Sequence, residues 1–173
     1  MEILLLRWPM RLGFRLWRID MSETARIADQ LKRAFAGDAW HGPALMEILA
    51  GVDAASAAAR PISNAHTIWE LTLHISAWDG VILRRIAGKV ASPSDEENFP
   101  KIKDKSEVAW RATLAELQRR HEELLRVIAE MPDSRLSEQV PGKDYDFYFL
   151  LHGTVQHALY HAGQIVLLKR ARG

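Results

Sequence analysis

The sequence predicts an all-α protein, folded as a four-helix bundle with short extra helices. Four long stretches place apolar residues three and four positions apart, which is the spacing of one helix face. No stretch keeps the period of two that a strand requires. Polar, proline-containing segments separate the four stretches and suit the loops of a bundle. With 173 residues, 48% of them hydrophobic, the chain is long enough to bury the core of one domain.

The first long helix is expected to begin after Ser22 and to end at Gly37, because serine is a good N-cap and glycine commonly follows a helix. Its inward positions are Ile27, Leu31 and Phe35. A short helical segment is expected in "WHGPALMEILAGV", with Pro43 in its first turn. The alanine-rich "DAASAAAR" should add one or two turns before Pro61 stops it.

The second long helix is expected to begin after Asn64 and to run to about Gly88, and the third to run from Ser106 to Pro132. The segment between them, "GKVASPSDEENFPKIKDKS", is polar and contains prolines, so it is expected to be a loop. The inward positions are Leu71, His74, Trp78 and Val81 on the second helix, and Trp110, Leu114, Leu117, Leu124 and Ile128 on the third.

The fourth long helix is expected to run from about Asp146 to Lys169, after a second loop, "PDSRLSEQVPGKDYD". Lys169, Arg170 and Arg172 are favourable near its C-terminal end, where the helix dipole is negative. The four helices together predict a domain over residues 21–173.

Residues 1–20 are predicted to be an N-terminal extension that is not required for the fold. Their arginines, at helical spacing beside an apolar stripe, are also compatible with a basic amphipathic helix at a membrane surface. Pro9 and Gly13 weaken such a helix. Because "MSETARIADQLKRAF" already reads as a capped first helix, we favour Met21 as the natural start.

The composition excludes several classes of function. A net charge of +1 argues against a broad nucleic-acid-binding surface. No apolar run approaches the roughly 20 residues of a membrane span, so no stable membrane insertion is expected and the predicted location is the cytoplasm. The chain has no cysteine, which excludes disulfides and a thiol nucleophile of its own.

Three histidines form a candidate metal site. His157 and His161 lie four residues apart on the fourth helix, where two imidazoles can bind one divalent ion. His74 lies on the inward face of the second helix and can supply a third nitrogen. Three neutral nitrogens and an open position would make a reactive site. The alternative is that these are core histidines that satisfy buried hydrogen bonds. The other histidines are expected at the surface or in loops: His41, His66, His121 and His152.

Two polar residues lie near these candidate ligands. Glu70, one turn before His74, is either an orienting or catalytic carboxylate or a solvated helix residue. Gln164 follows His161 by three residues and is either a support for that ligand or a hydrogen-bonding residue of the bundle, which we favour.

The stretches "LTLHISAW" and "HALYHAGQI" resemble the DinB-like superfamily of four-helix bundles, and "AWHGPALMEIL", "HTIWEL", "ENFP" and "VPG" are similar to one branch of it. The resemblance extends from Ser22 to Arg170. It implies that His74, His157 and His161 bind a divalent metal, most often nickel or zinc. Members with assigned activities include bacillithiol transferases and mycothiol-dependent maleylpyruvate isomerase.

Three functions are compatible with these residues. The first is a metal-dependent transferase that activates a small thiol for attack on an electrophile. The second is a hydrolase that uses metal-bound hydroxide, with Glu70 as a base, and the third is a non-catalytic metal-binding bundle. Because Trp and Leu occur on more than one helix face and relatives often pair, a homodimer is also predicted.

Overall fold

The computed structural model describes residues 21–171. Within that range the chain forms no strand, and an isolated antiparallel bridge joins Gln139 to Asp146. A 3-10 turn covers Asp133–Ser137. The helices in chain order are α1 (Glu23–Ala36), α2 (Leu45–Leu49), α3 (Ala54–Ala58), α4 (Ile68–Ile86), α5 (Asp95–Asn98), α6 (Glu107–Glu130) and α7 (Phe147–Arg170). The predicted all-α fold is confirmed.

The long helices begin at side-chain caps. The caps are Ser22 for α1, Thr67 for α4, Ser106 for α6 and Asp146 for α7. Three of these four starts were predicted, but α4 begins three residues later than expected. Thr67 and Glu70 cap each other's backbone N–H groups, and this reciprocal pair fixes the first turn of α4.

The four long helices form a closed ring in which each packs against two others. α6 lies between α4 and α1, and α7 closes the ring by contacting both α1 and α4. The short helices α2 and α3 pack at one end of the bundle. The prediction that Pro43 lies in the first turn of α2 is wrong, because α2 begins after Ala44 and Pro43 precedes that cap.

The core consists of two buried clusters, one in each half of the bundle. One cluster joins the first half of α4 to the end of α7, through Ile68, Leu71, Ile165 and Leu168. The other joins the end of α4 to the beginning of α7, through residues such as Ile82, Ile86, Phe147 and Leu151. The two helices therefore run antiparallel, and the middle of α7 lies beside the middle of α4.

The two predicted loops contain short helical turns. Ser94 caps α5, whose last residue, Asn98, lies against α4. The second loop contains the 3-10 turn and then bends at Gly142, which has a φ of 72°. A Cβ added at Gly142 would lie 2.8 Å from a methyl group of Val90, so this tight turn requires glycine.

His121 is not a surface or loop residue, which corrects the prediction made from its position. It lies on α6 with 1% of its surface exposed and stacks on Phe35 at a ring-centroid distance of 3.7 Å. Its Nδ1 lies 3.1 Å from a carboxylate oxygen of Asp79, which is also buried. A charged residue stands on each side of His121 in the sequence, so its local sequence gives no sign of this burial.

The predicted extension, residues 1–20, lies outside the described part of the chain. None of the helices within residues 21–171 combines the length and the apolar character needed to cross a membrane.

Candidate metal centre

His74 of α4 meets His157 and His161 of α7 at the middle of the bundle. Nε2 of His157 lies 3.0 Å from Nε2 of His74 and 3.1 Å from Nε2 of His161. The candidate ligand atoms all lie within 4.8 Å of one another. His74 and His161 are buried and His157 is half-buried, so one side of the cluster faces open space. The fold thus brings together the three histidines that the sequence singled out.

Two hydrogen bonds fix which nitrogen of each outer imidazole carries the proton. Nδ1 of His74 lies 2.9 Å from the carbonyl oxygen of Asn98, and Nδ1 of His161 lies 2.6 Å from the side-chain oxygen of Gln164. Both oxygens can only accept, so each Nδ1 is the donor and each Nε2 presents a lone pair. This is the arrangement in which outer hydrogen bonds orient histidine ligands toward a metal.

The three inward nitrogens fit a metal ion better than they fit one another. A neutral His157 has a single N–H, which can satisfy one of the two lone pairs that face its Nε2. At a metal–nitrogen length of about 2.0–2.1 Å and angles of about 90–109°, two ligand nitrogens are about 2.8–3.4 Å apart. The observed separations of 3.0 and 3.1 Å lie inside that range.

The electrostatics keep the three imidazoles neutral, as metal binding requires. Burial, with the neighbouring His161 and His74, lowers the pKa of His157 to about 3. Burial also lowers the pKa of His74 and that of His161, although the hydrogen bonds to Asn98 and Gln164 act in the opposite direction. At pH 7 an ion therefore does not have to displace the extra proton of an imidazolium from any of these rings.

A cavity of about 190 Å³ opens beside the histidine cluster, between α4 and α7. His157 forms part of its wall, so a ligand in the cavity lies next to the candidate metal position. The apolar part of the wall comes from Trp78, Ile82, Phe149 and Leu150. The polar side chains in the wall are Arg85, Tyr145, Thr154 and His157.

The family model described as the DinB superfamily matches residues 39–165 of the chain, which include all three histidines. The chain belongs to the DinB superfamily. This confirms the resemblance seen in the sequence, and the three close histidines could hold a metal ion, in agreement with the metal binding of that superfamily. None of the curated proteins and none of the solved structures that were compared with the chain matches it.

Glu70 has a structural role in this DinB-superfamily protein. Its carboxylate accepts a hydrogen bond from the backbone N–H of Thr67 and two from the guanidinium of Arg60. Desolvation raises its pKa, but the bonds from Thr67 and Arg60 outweigh it and leave the pKa low. The group that orients His74 is the Asn98 carbonyl. The suggestion that Glu70 orients this histidine is therefore wrong, whereas its role as a base stays a prediction.

Several residues around the cluster were not identified from the sequence. The ring of Phe99 stacks on His74 at 4.3 Å, and Trp78 donates a hydrogen bond to the side-chain oxygen of Asn98. The "ENFP" stretch therefore supports His74, the candidate ligand on α4, whereas from the sequence it was placed in a loop and in the family resemblance without a role at the cluster. Gln164 contacts His161, which corrects the preference for a role elsewhere in the bundle.

Proposed function

We propose that this protein is a metal-dependent transferase that activates a low-molecular-weight thiol for attack on an electrophile. The observation that carries the proposal is the convergence of three Nε2 atoms, two of them with their protons fixed on Nδ1, at the wall of a mostly apolar cavity. Nickel or zinc is the proposed metal, since imidazole nitrogens suit both ions. When bound, such an ion would lower the pKa of a coordinated thiol and so supply a thiolate at neutral pH.

The residues of the chain have distinct roles in this proposal. His74, His157 and His161 hold the ion, while Asn98 and Gln164 fix their orientation. The apolar wall of the cavity excludes water from the electrophile and so favours attack by a thiolate. The absence of cysteine means that the thiol must come from a cosubstrate.

Metal analysis of untagged protein tests the first step. The unaltered chain should bind one divalent ion, and His161→Ala should lose most of that affinity. His152→Ala is the matched control, since His152 lies on α7 outside the cluster. Equal metal content in the unaltered chain and in His161→Ala would show that the ligand assignment is wrong.

Thiol binding distinguishes the thiol transferase from the hydrolase and from the non-catalytic bundle. Metal-loaded protein should bind small thiols in calorimetry, and His157→Ala should abolish this binding. Turnover of esters or amides in the absence of a thiol would instead favour the hydrolase, and metal binding with neither activity would favour the non-catalytic bundle. Glu70→Gln tests whether Glu70 acts as a base. If Glu70 only caps α4, the substitution should change stability and leave turnover per bound metal unchanged.

We also propose a homodimer in the cytoplasm. Phe149, Tyr160 and Leu167 lie on one side of α7 and are each more than 60% exposed, so α7 offers an apolar surface to a second copy of the chain. Sedimentation at micromolar concentration tests the pairing, and a purely monomeric species of 19.6 kDa would contradict it.

A further inference from the structure

Arg85 is a buried cation that forms no ion pair with any residue in the range 21–171. Its side chain lies in the last turn of α4, and 2% of the residue's surface is exposed. The preceding residue, Arg84, shows the usual arrangement: it is more exposed and pairs with the carboxylate of Glu97 at 2.6 Å. An arginine is almost never fully buried without a charged partner. The burial of Arg85 therefore requires an explanation that the fold alone does not provide.

The protein groups around the Arg85 guanidinium are neutral. Nε donates to the carbonyl oxygen of Ala91 at 2.9 Å, and Nη1 donates to the hydroxyl of Tyr145 at 3.1 Å. The indole of Trp78 lies under the guanidinium carbon at 5.6 Å. The C-terminal dipole of α4 compensates part of the charge. Nη2 donates no hydrogen bond to the described residues. It is not fully enclosed by them either, so a ligand can reach it.

The open side of Arg85 faces the cavity beside the histidines. Arg85 and His157 are both part of the cavity wall, and most of the wall between them is apolar. A ligand in this cavity thus meets a fixed positive charge and the candidate metal position from the same space. A guanidinium fork with a hydroxyl beside it matches the geometry of a carboxylate. A single guanidinium is less suited to a phosphate dianion, which usually has several donors.

We propose that Arg85 and Tyr145 bind the carboxylate of a small organic acid, and that this acid is the electrophilic cosubstrate of the site. Carboxylate binding by Arg85 does not depend on the proposed function, whereas the role of the acid as the electrophilic cosubstrate rests on it. The cavity has room for a small molecule with an apolar body. The carboxylate on Arg85 then holds the rest of the acid beside His157 and the candidate metal position, where the thiol of the proposed function would meet it.

Matched probes test the carboxylate without relying on turnover. Benzoate, benzamide and phenyl phosphate share an aromatic body and differ in the charge of the polar group. Their affinities would be measured by calorimetry on the full chain, both metal-loaded and after treatment with a chelator. Benzoate should bind at least about tenfold more tightly than benzamide in both forms, since a charge-assisted contact is worth that factor or more.

Substitutions at Arg85 test whether this residue causes the preference for benzoate over benzamide. Arg85→Met should abolish most of the preference for benzoate over benzamide, and Arg85→Lys should retain a smaller preference. Arg84→Met removes the same charge one residue away and should leave the preference unchanged. If Arg85→Met does not fold, the comparison of acid and amide on the unaltered chain, together with Arg85→Lys, still decides the question.

Distinct outcomes contradict the two proposals. Equal affinity for benzoate and benzamide, or an unchanged preference in folded Arg85→Met, would overturn the role of Arg85. A preference present only in the metal-loaded form would place the carboxylate on the metal and overturn it as well, and tighter binding of phenyl phosphate would reject the carboxylate. If thiols fail to bind but the preference remains, the transferase is wrong and the anion site stands.

Discussion

Replacing Gln164 by leucine should weaken metal binding without unfolding the bundle. The side-chain oxygen of Gln164 lies 2.6 Å from Nδ1 of His161 and accepts its proton. Leucine has a similar size but no acceptor, so the His161 ring would lose the hydrogen bond that fixes both its tautomer and its orientation. The corresponding hydrogen bond of His74 is made to a backbone carbonyl and cannot be removed by substitution, which makes Gln164 the better residue to change.

The expected magnitude follows from the removal of one orienting hydrogen bond. Removing one such partner of a ligand histidine typically lowers metal affinity by about 10- to 100-fold. That range corresponds to about 1.4–2.7 kcal/mol of binding free energy. An ion that binds only the folded state stabilises it by RT ln(1 + c/Kd), where c is the free metal concentration, so at saturating metal the gain in unfolding free energy should fall by the same amount. The metal-free protein should change much less, since Gln164 is only half-buried.

Competition with a chromogenic chelator measures the metal affinity. Urea unfolding with and without metal measures the gain in unfolding free energy that metal binding provides. Gln156→Leu is the matched control, because Gln156 is an exposed residue of the same helix. Equal metal affinity in Gln164→Leu and the unaltered chain would refute the argument. A similar loss in Gln156→Leu would refute it too, since the effect would then come from the helix rather than from His161.

His121→Ala leaves the carboxylate of Asp79 buried without its partner and should lower the free energy of unfolding by about 3–5 kcal/mol at pH 7. Burial raises the pKa of Asp79, so the loss should shrink as the pH falls through that raised value and the carboxylate takes up a proton, which urea unfolding at several pH values would reveal. Leu167→Glu places a charge on the exposed apolar side of α7 and should convert a dimer to monomers in sedimentation, whereas an unchanged mass would place the interface elsewhere. A chain shortened to begin at Met21 should keep its thermal midpoint and metal stoichiometry, and a large loss of stability would show that residues 1–20 pack on the core.

The helices could be predicted because their signals are local. Ser22 and Ser106 cap the helices that they were expected to cap, and α7 begins at Asp146, near its expected start. The apolar spacing of α1 and α6 identified their buried faces. The start of α4 was misplaced because Asn64 is also a plausible cap, and only the reciprocal bonds of Thr67 and Glu70 decide between them. The turn of α5 is four residues long, too short for periodicity to reveal.

The candidate ligands could also be predicted, because the spacing of His157 and His161 and the inward position of His74 are properties of single helices. Of the two groups that support them, Gln164 was considered as one of two alternatives, and the carbonyl of Asn98 was not foreseen. The carbonyl of Asn98 reaches His74 only because the segment after α4 folds back, and a backbone atom leaves no signature in the sequence. For the same reason His121 was misjudged: its partner Asp79 lies 42 residues away, on another helix.

The buried polar residues of α4 show where the fold departs from simple packing. His74, Asp79 and Arg85 are all buried on this one helix. The carboxylate of Asp79 has its partner, His121, within the core, although Nε2 of His121 has no hydrogen-bond partner among the described residues. His74 and Arg85 are incomplete in a different way: Nε2 of His74 presents a lone pair toward Nε2 of His157, and Arg85 presents a cation to neutral groups. Because burial of unpaired polar groups destabilises a fold, the two that are incomplete mark the part of α4 at which an ion and an anion are expected to bind.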